Sequence, residues 1–189
     1  GLISSRLQLE TPIVKGKTSL LLAGRASYSD WLLKRVRLPD ARNSSAFFYD
    51  GLGKITHRFN SNSTLNLSYY NSYDFFRFAT DFGFEWRTQL LNLNWKQIWN
   101  SKLSSSTSVV LGDYLSTQFD PEGTDAFNLD NGLQYAKVKQ NFFYNPSPKH
   151  AINAGAVFTA YDMKPETLSP RGEDSGIDNR ILDKEQAYE

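Results

Sequence analysis

The sequence contains no cysteine, which excludes disulfide frameworks, thiolate metal sites and thiol nucleophiles, and leaves the redox compartment unread. Histidine is scarce too: His57 and His150 are the only two. Neither has an acidic or thiol neighbour at ligand spacing, so no metal site is expected. The many serines lack a GxSxG elbow, and two histidines beside short turns give a nucleophile no base. No catalytic residue and no cofactor is therefore expected. An excess of one charge is missing as well. Lys and Arg number 21 against 20 Asp and Glu, a net charge of +1, and their even spread gives no electrostatic footprint for nucleic acid. The longest apolar stretch, SLLLAG from Ser19 to Gly24, falls far short of the roughly 18 residues a membrane helix needs. The opening GLISSRLQLE has no initiator Met, basic segment or hydrophobic signal core, so the beginning is read as missing or processed.

What the chain has in abundance is rings. Thirteen Phe, ten Tyr and four Trp bring aromatics to 14% of 189 residues, a bias that favours strands. The length suits one domain. A mean hydropathy of −0.50 does not argue against a membrane, because strands that cross one alternate between lipid-facing and interior-facing residues.

Alternation with period two divides the sequence into about eight runs, at roughly 2–11, 18–29, 47–59, 64–74, 84–99, 103–118, 129–144 and 151–162. Their connections alternate in length. Short ones at 12–17, 60–63, 100–102 and 145–149 carry Pro, Gly, Asn or Ser suited to tight reversal. Long ones are expected at 30–46, 75–83, 119–128 and from 163 to about 187. Short turns at one rim and long loops at the other are the pattern of a transmembrane β-barrel. The fold class expected is therefore all-β, an antiparallel transmembrane barrel or part of one.

Aromatics cluster at the run ends as two girdles would. Phe59, Trp95, Trp99, Phe142 and Tyr144 lie next to the short turns, while Tyr28, Trp31, Tyr49, Tyr69, Tyr73, Trp86 and Tyr161 lie toward the long loops. Parity assigns faces. Leu7, Leu9, Leu20, Leu22, Ala26, Tyr28, Tyr49, Ile55, Phe59, Leu65, Leu67, Tyr69, Val138, Phe142 and Tyr144 fall on an apolar, lipid-facing side. Opposite them fall Arg6, Gln8, Glu10, Arg25, Asp50, Lys54, Thr56, Arg58, Asn66, Ser68, Lys137, Lys139 and Asn141. Arg or Lys on the lipid side near the midplane would cost about 2–4 kcal/mol each, so the polar parity is read as a wet interior. Leu21, Leu52 and Val157 fall on that inner parity as exceptions, and the serine-rich sixth run shows no clear outer face.

Three strings, GLISSRLQLETPIVKGKTSLLLAGRASYSDWLLK, FFYDGLGKITHRFNSNSTLNLSYY and NPSPKHAINAGAVFTAYDMKP, together resemble the TonB-dependent receptors of Bacteroidota, in the part of the barrel that directly follows the plug. The likeness runs in register from Leu2 onward, and LDKEQAYE at the end resembles a loop leading into a further barrel strand. The resemblance implies a 22-stranded barrel filled by an N-terminal plug, of which this chain supplies about eight strands. It also implies import of scarce or bulky nutrients powered through TonB. Partners implied are outer-membrane lipid and lipopolysaccharide, the plug and later strands of the same protein, the TonB complex through the plug side, and an outer-membrane lipoprotein. No substrate class and no ligand residue carry over.

Arg25, Lys54, Arg58, Arg87, Lys137 and Lys139 are candidate interior cations. They would pair with carboxylates of the plug and of the wall itself, such as Asp50, Glu85 and Asp113, or touch a substrate, an anionic one in particular. The segment DWLLKRVRLPDAR, 30–42, suits a short helix capped by Asp30 and broken before Pro39, serving either as a partner surface or as an ordinary loop over the mouth. The tail RGEDSGIDNRILDKEQ reads as a solvated loop or as part of a ligand enclosure. Competing readings are a small self-contained barrel with a structural or adhesive role, a scaffold barrel within a larger outer-membrane complex, and a sugar-binding β-sandwich. The last fits poorly with runs of ten residues or more.

Overall fold

The computed structural model describes residues 3–189; Leu2, where the first alternating run begins, lies outside them. Nine strands form one antiparallel sheet in strict chain order: β1 (Ser4–Val14), β2 (Thr18–Ser27), β3 (Ser45–Asn60), β4 (Ser63–Phe78), β5 (Phe82–Ile98), β6 (Leu103–Phe119), β7 (Phe127–Ser147), β8 (His150–Pro170) and β9 (Glu185–Tyr188). Two short helices, α1 (Asp30–Leu33) and α2 (Pro39–Asn43), sit between β2 and β3. Each strand pairs with its sequence neighbours, and β1 and β9 are edges with a partner on one side only. The sheet is thus open among the described residues.

The short reversals follow from their residues. Gly16 takes φ +74° between β1 and β2, a left-handed conformation that glycine adopts without steric cost. Asn60 Oδ1 accepts from the Asn62 amide at 2.8 Å, and Asn100 Oδ1 from the Lys102 and Leu103 amides at 2.9 and 3.0 Å. Both are Asx turns, which let asparagine close a reversal with its own side chain.

Three expectations are corrected. Residues 75–83 do not form a long loop: pairing continues through Phe76↔Phe84 and Phe78↔Phe82 to a turn at residues 79–81. The rings explain this, since Phe82 of β5 lies 5.8 Å from Phe78 and 6.2 Å from Phe76 of β4, cross-strand aromatic contacts that favour pairing over a loop. β8 likewise runs on to Pro170, and the connection that follows is closed by β9, so the strands number nine. In the 30–42 segment the helix ends after Leu33, and Pro39 begins a second helix where it was expected to mark a stop. Proline suits a first helical position, where its missing N–H costs nothing. Asp30 is inside α1 and does not cap it; its carboxylate accepts from the Ala46 amide at 2.8 Å and the Ser45 hydroxyl at 2.7 Å, fastening the loop to β3.

The two remaining long connections interlock. Arg171 N donates to Ala126 O at 3.0 Å, Ser175 Oγ to the same oxygen at 2.6 Å, and Gly176 N to Thr124 O at 2.7 Å. Ala126 is buried beneath them. The Arg171 guanidinium lies 4.0 Å from the centroid of the Phe119 ring and donates to Asn128 Oδ1 at 2.7 Å.

Candidate functional site

Residues directly paired across strands point to the same side of a sheet, so the register sorts every side chain. One row crosses all nine strands: Leu9, Leu22, Gly53, Tyr69, Leu91, Leu111, Ala136, Ala160 and Tyr188. Leu20, Ile55, Leu67, Leu93, Val109, Val138 and Phe158 form the next row on the same side. Leu65 and Trp95 follow, and Phe142 and Tyr144 extend this apolar face toward the short turns. Tyr49 is paired with Tyr73 on it, and Tyr28 reaches Ser5 Oγ at 3.1 Å from the end of β2. The Phe59 ring stands on it too, edge-on to His57 at 4.6 Å.

Two indoles on this face are satisfied within the sheet. Trp95 Nε1 donates to Ser63 Oγ at 2.9 Å, and Trp99 Nε1 to Ser105 Oγ at 2.9 Å. The serine-rich sixth run thereby acquires an outer side: Ser105, Thr107, Val109 and Leu111 share the face of Trp95. His57 accepts or donates through Nδ1 to Thr18 Oγ1 at 2.8 Å. Trp86 and Tyr161, placed by sequence among the rings toward the long loops, stand on the opposite side, paired with Asp74 and Tyr135.

That opposite side is polar, and five of its cations fall in three adjacent rows, while Arg6 and Arg25 pair in another. The first is Leu21, Lys54, Ser68, Asn92, Val110, Lys137 and Thr159; the second runs through Thr56, Asn66, Asn94, Ser108 and Lys139; the third is Arg58, Thr64, Lys96, Ser106 and Asn141. Short polar side chains between them hydrogen-bond across strands: Thr56 to Asn66 at 2.8 Å, Asn94 to Ser106 at 3.1 Å and Ser108 to Asn92 at 3.1 Å. A groove of about 480 Å³ opens over β6–β8, lined by Ser108, Tyr135, Lys137, Lys139, Thr159 and Tyr161. Arg25 and Asp50 are directly paired one row beyond Leu52, bonded at 2.7 Å, with the Arg25 guanidinium 4.8 Å from the Phe48 ring centroid. Leu21, Leu52 and Val157 do fall on this side, beside Lys54, Ala23 and Lys139.

The register removes one residue from the expected interior set. Arg87 pairs with Tyr73 and so shares the face of Tyr49 and Leu67; it bonds Glu85 at 3.4 Å and lies 5.3 Å from the Tyr73 ring centroid. Odd residues of β5 are on the apolar side throughout, and the adjacent Leu90 and Leu91 hid that parity in the sequence. Glu85 and Asp113 stand on that side too, paired with Phe75 and Gln89, so neither is a counter-charge for the polar face. Sequence reading missed Lys96, although its alternation against Trp95 and Gln97 carried the signal.

Among the described residues no cluster of three or more His, Cys, Asp or Glu is placed to hold a metal, and no helix is long and apolar enough to cross a membrane, which says nothing of strands. The chain matches no protein-family model, no curated protein and no solved structure.

Proposed function

We propose that this chain is part of the wall of a transmembrane β-barrel in a bacterial outer membrane, within an importer of the TonB-dependent kind that takes up a scarce or bulky nutrient. The apolar face meets lipid, the polar face lines the interior, and the wall performs no catalysis. The resemblance of the sequence to such receptors and the separation of the two faces support this, but one geometric observation carries it. Counted from the row of Leu22, Tyr69, Leu111 and Ala160, the strand start at the short turn lies four residues away in β2, six in β4, eight in β6 and ten in β8. The rim therefore shifts by one residue per strand.

With a rise of about 3.4 Å per residue and about 4.8 Å between strands, that drift corresponds to strands inclined by about 35° to the axis of the short-turn rim, within the range that barrel closure requires. The apolar band drifts with it. From β2 into the residue after it, apolar side chains run from Leu20 to Tyr28, mostly on the long-loop side of the row, whereas in β8 they run from Ile152 to Ala160, on the short-turn side. A sheet with one solvent-facing side has no reason to keep its apolar band level with a sloping rim. A wall crossing a slab of hydrocarbon must do so.

Single-tryptophan proteins reconstituted with brominated lipid test this. Trp95, on the apolar face, should be quenched strongly, and Trp86, on the polar face, weakly. Equal quenching, or none at Trp95, would overturn the reading.

A further inference from the structure

Five cations, Lys54, Arg58, Lys96, Lys137 and Lys139, occupy three successive rows of the polar face on β3, β5 and β7, and none of them takes part in an ion pair among the described residues. Strands β3 to β8 place no carboxylate in those rows. The acids on this face stand at its flanks. Asp50 is held by Arg25, and Asp74 lies toward the long-loop end opposite Trp86. Glu10 on β1 and Glu189, just past β9, close the two ends of the first row opposite Leu21 and Thr159, with Glu189 receiving the Tyr161 hydroxyl at 3.3 Å, and Glu185 belongs to the edge strand β9.

Like charges on alternate strands stand about 10 Å apart, roughly a Debye length at moderate salt, so their repulsion is relieved by an anion that spans them. Between them lie mostly hydroxyl and amide groups, Ser68, Asn92, Asn94, Ser106 and Ser108, with Val110 the one apolar side chain, beside Lys137. These offer hydrogen bonds to oxyanions without adding charge. A groove of about 480 Å³ lies over Lys137 and Lys139, walled by Tyr135 and Tyr161 and floored in part by Val110 and Leu133.

We infer that this strip is a binding track for a polyanionic solute, one carrying several carboxylate or phosphate groups along its length. This rests on the barrel reading and adds the substrate's charge class. An acidic part of the protein itself lying against the strip is the rival, and the test separates the two.

The complete protein in detergent or lipid is treated with a small acetylating reagent and its lysines are read by mass spectrometry, with tripolyphosphate as the probe. Lys54, Lys96, Lys137 and Lys139 should react without tripolyphosphate and be protected several-fold by it. Lys149 in a short turn and Lys164 on the apolar face should be unaffected, and neutral maltotriose should protect nothing. A K137Q/K139Q variant with unchanged mobility and proteolysis should lose most of the protection at Lys96. Absence of protection, equal protection by maltotriose, or lysines already unreactive before tripolyphosphate is added would each overturn the inference. Brominated-lipid quenching of Trp95 reports on the barrel itself, so failure of the anion track and failure of the wall are read separately.

Discussion

The Phe119 ring occupies the place of a side chain at Gly83: a Cβ built on that glycine would stand 2.1 Å from the ring. Phe119 is only 1% exposed, 5.9 Å from the Phe75 ring on one side and beneath the Arg171 guanidinium on the other. Gly83→Ala should therefore cost about 1–3 kcal/mol through overpacking. Phe119→Ala should cost about 3–5 kcal/mol through the void it leaves. Both should also make residues 120–126 and 171–184 sensitive to protease, because Arg171 loses its seat. Urea titration and limited proteolysis check this, and native-like behaviour of Gly83→Ala would contradict the packing described.

The two faces predict opposite tolerance to one charge. Leu67→Arg, on the apolar row with Leu93 and Val138, should lower stability in bilayers by about 2–4 kcal/mol. Ser68→Arg, one residue along and on the polar face beside Lys54 and Asn92, should fold with little loss. Denaturant titration in lipid vesicles measures the difference, and equal penalties would contradict the assignment of faces.

Ser105 is buried and accepts the N–H of the half-exposed Trp99 indole, so Ser105→Ala removes that bond and should cost about 0.5–1.5 kcal/mol. Ser104→Ala, on the other face and paired with Phe143, should fall within about 0.5 kcal/mol of the parent. Thermal melts of the two variants make the comparison, and near-neutral behaviour of Ser105→Ala would show that the bond carries no weight.

Asp30 fastens the β2–β3 connection through two hydrogen bonds to Ser45 and Ala46. Asp30→Ala removes a charged acceptor, with an expected loss of about 1.5–3 kcal/mol in local stability. Cleavage within residues 34–44 should accelerate while the strands stay protected. Hydrogen exchange at the Ala46 amide is the direct readout, and unchanged exchange there would contradict the role given to this carboxylate.

Much of this architecture was readable because strands with one apolar and one polar face must alternate, and alternation survives in β1 to β4 and β7 almost residue by residue. It was lost where two like residues adjoin. Leu90 and Leu91 point to opposite faces, and without the register either could claim the apolar side, which is how Arg87 came to be counted among the interior cations. Serine misled in β6 for another reason. Its hydroxyl can stand on the apolar face when an indole covers it, as Trp99 does Ser105, and that depends on cross-strand partners rather than on local sequence. The aromatic ladder that prolongs β4 and β5 was equally hidden, since Asp81 and Gly83 carry the chemistry of a loop while Phe76, Phe78, Phe82 and Phe84 hold the pair together. Parity grouped Lys54, Lys137 and Lys139 on one face, as the register does, but only the register could show that Glu85 and Asp113 lie on the other face of the sheet.

β1 and β9 each keep one flank of amides and carbonyls without a strand beside it. In hydrocarbon such a border is intolerable, and in water it is adhesive. Produced apart from any other strands, these residues would join border to border into ribbons, with Leu7 and Leu9 of one copy carried up against the last strand of the next.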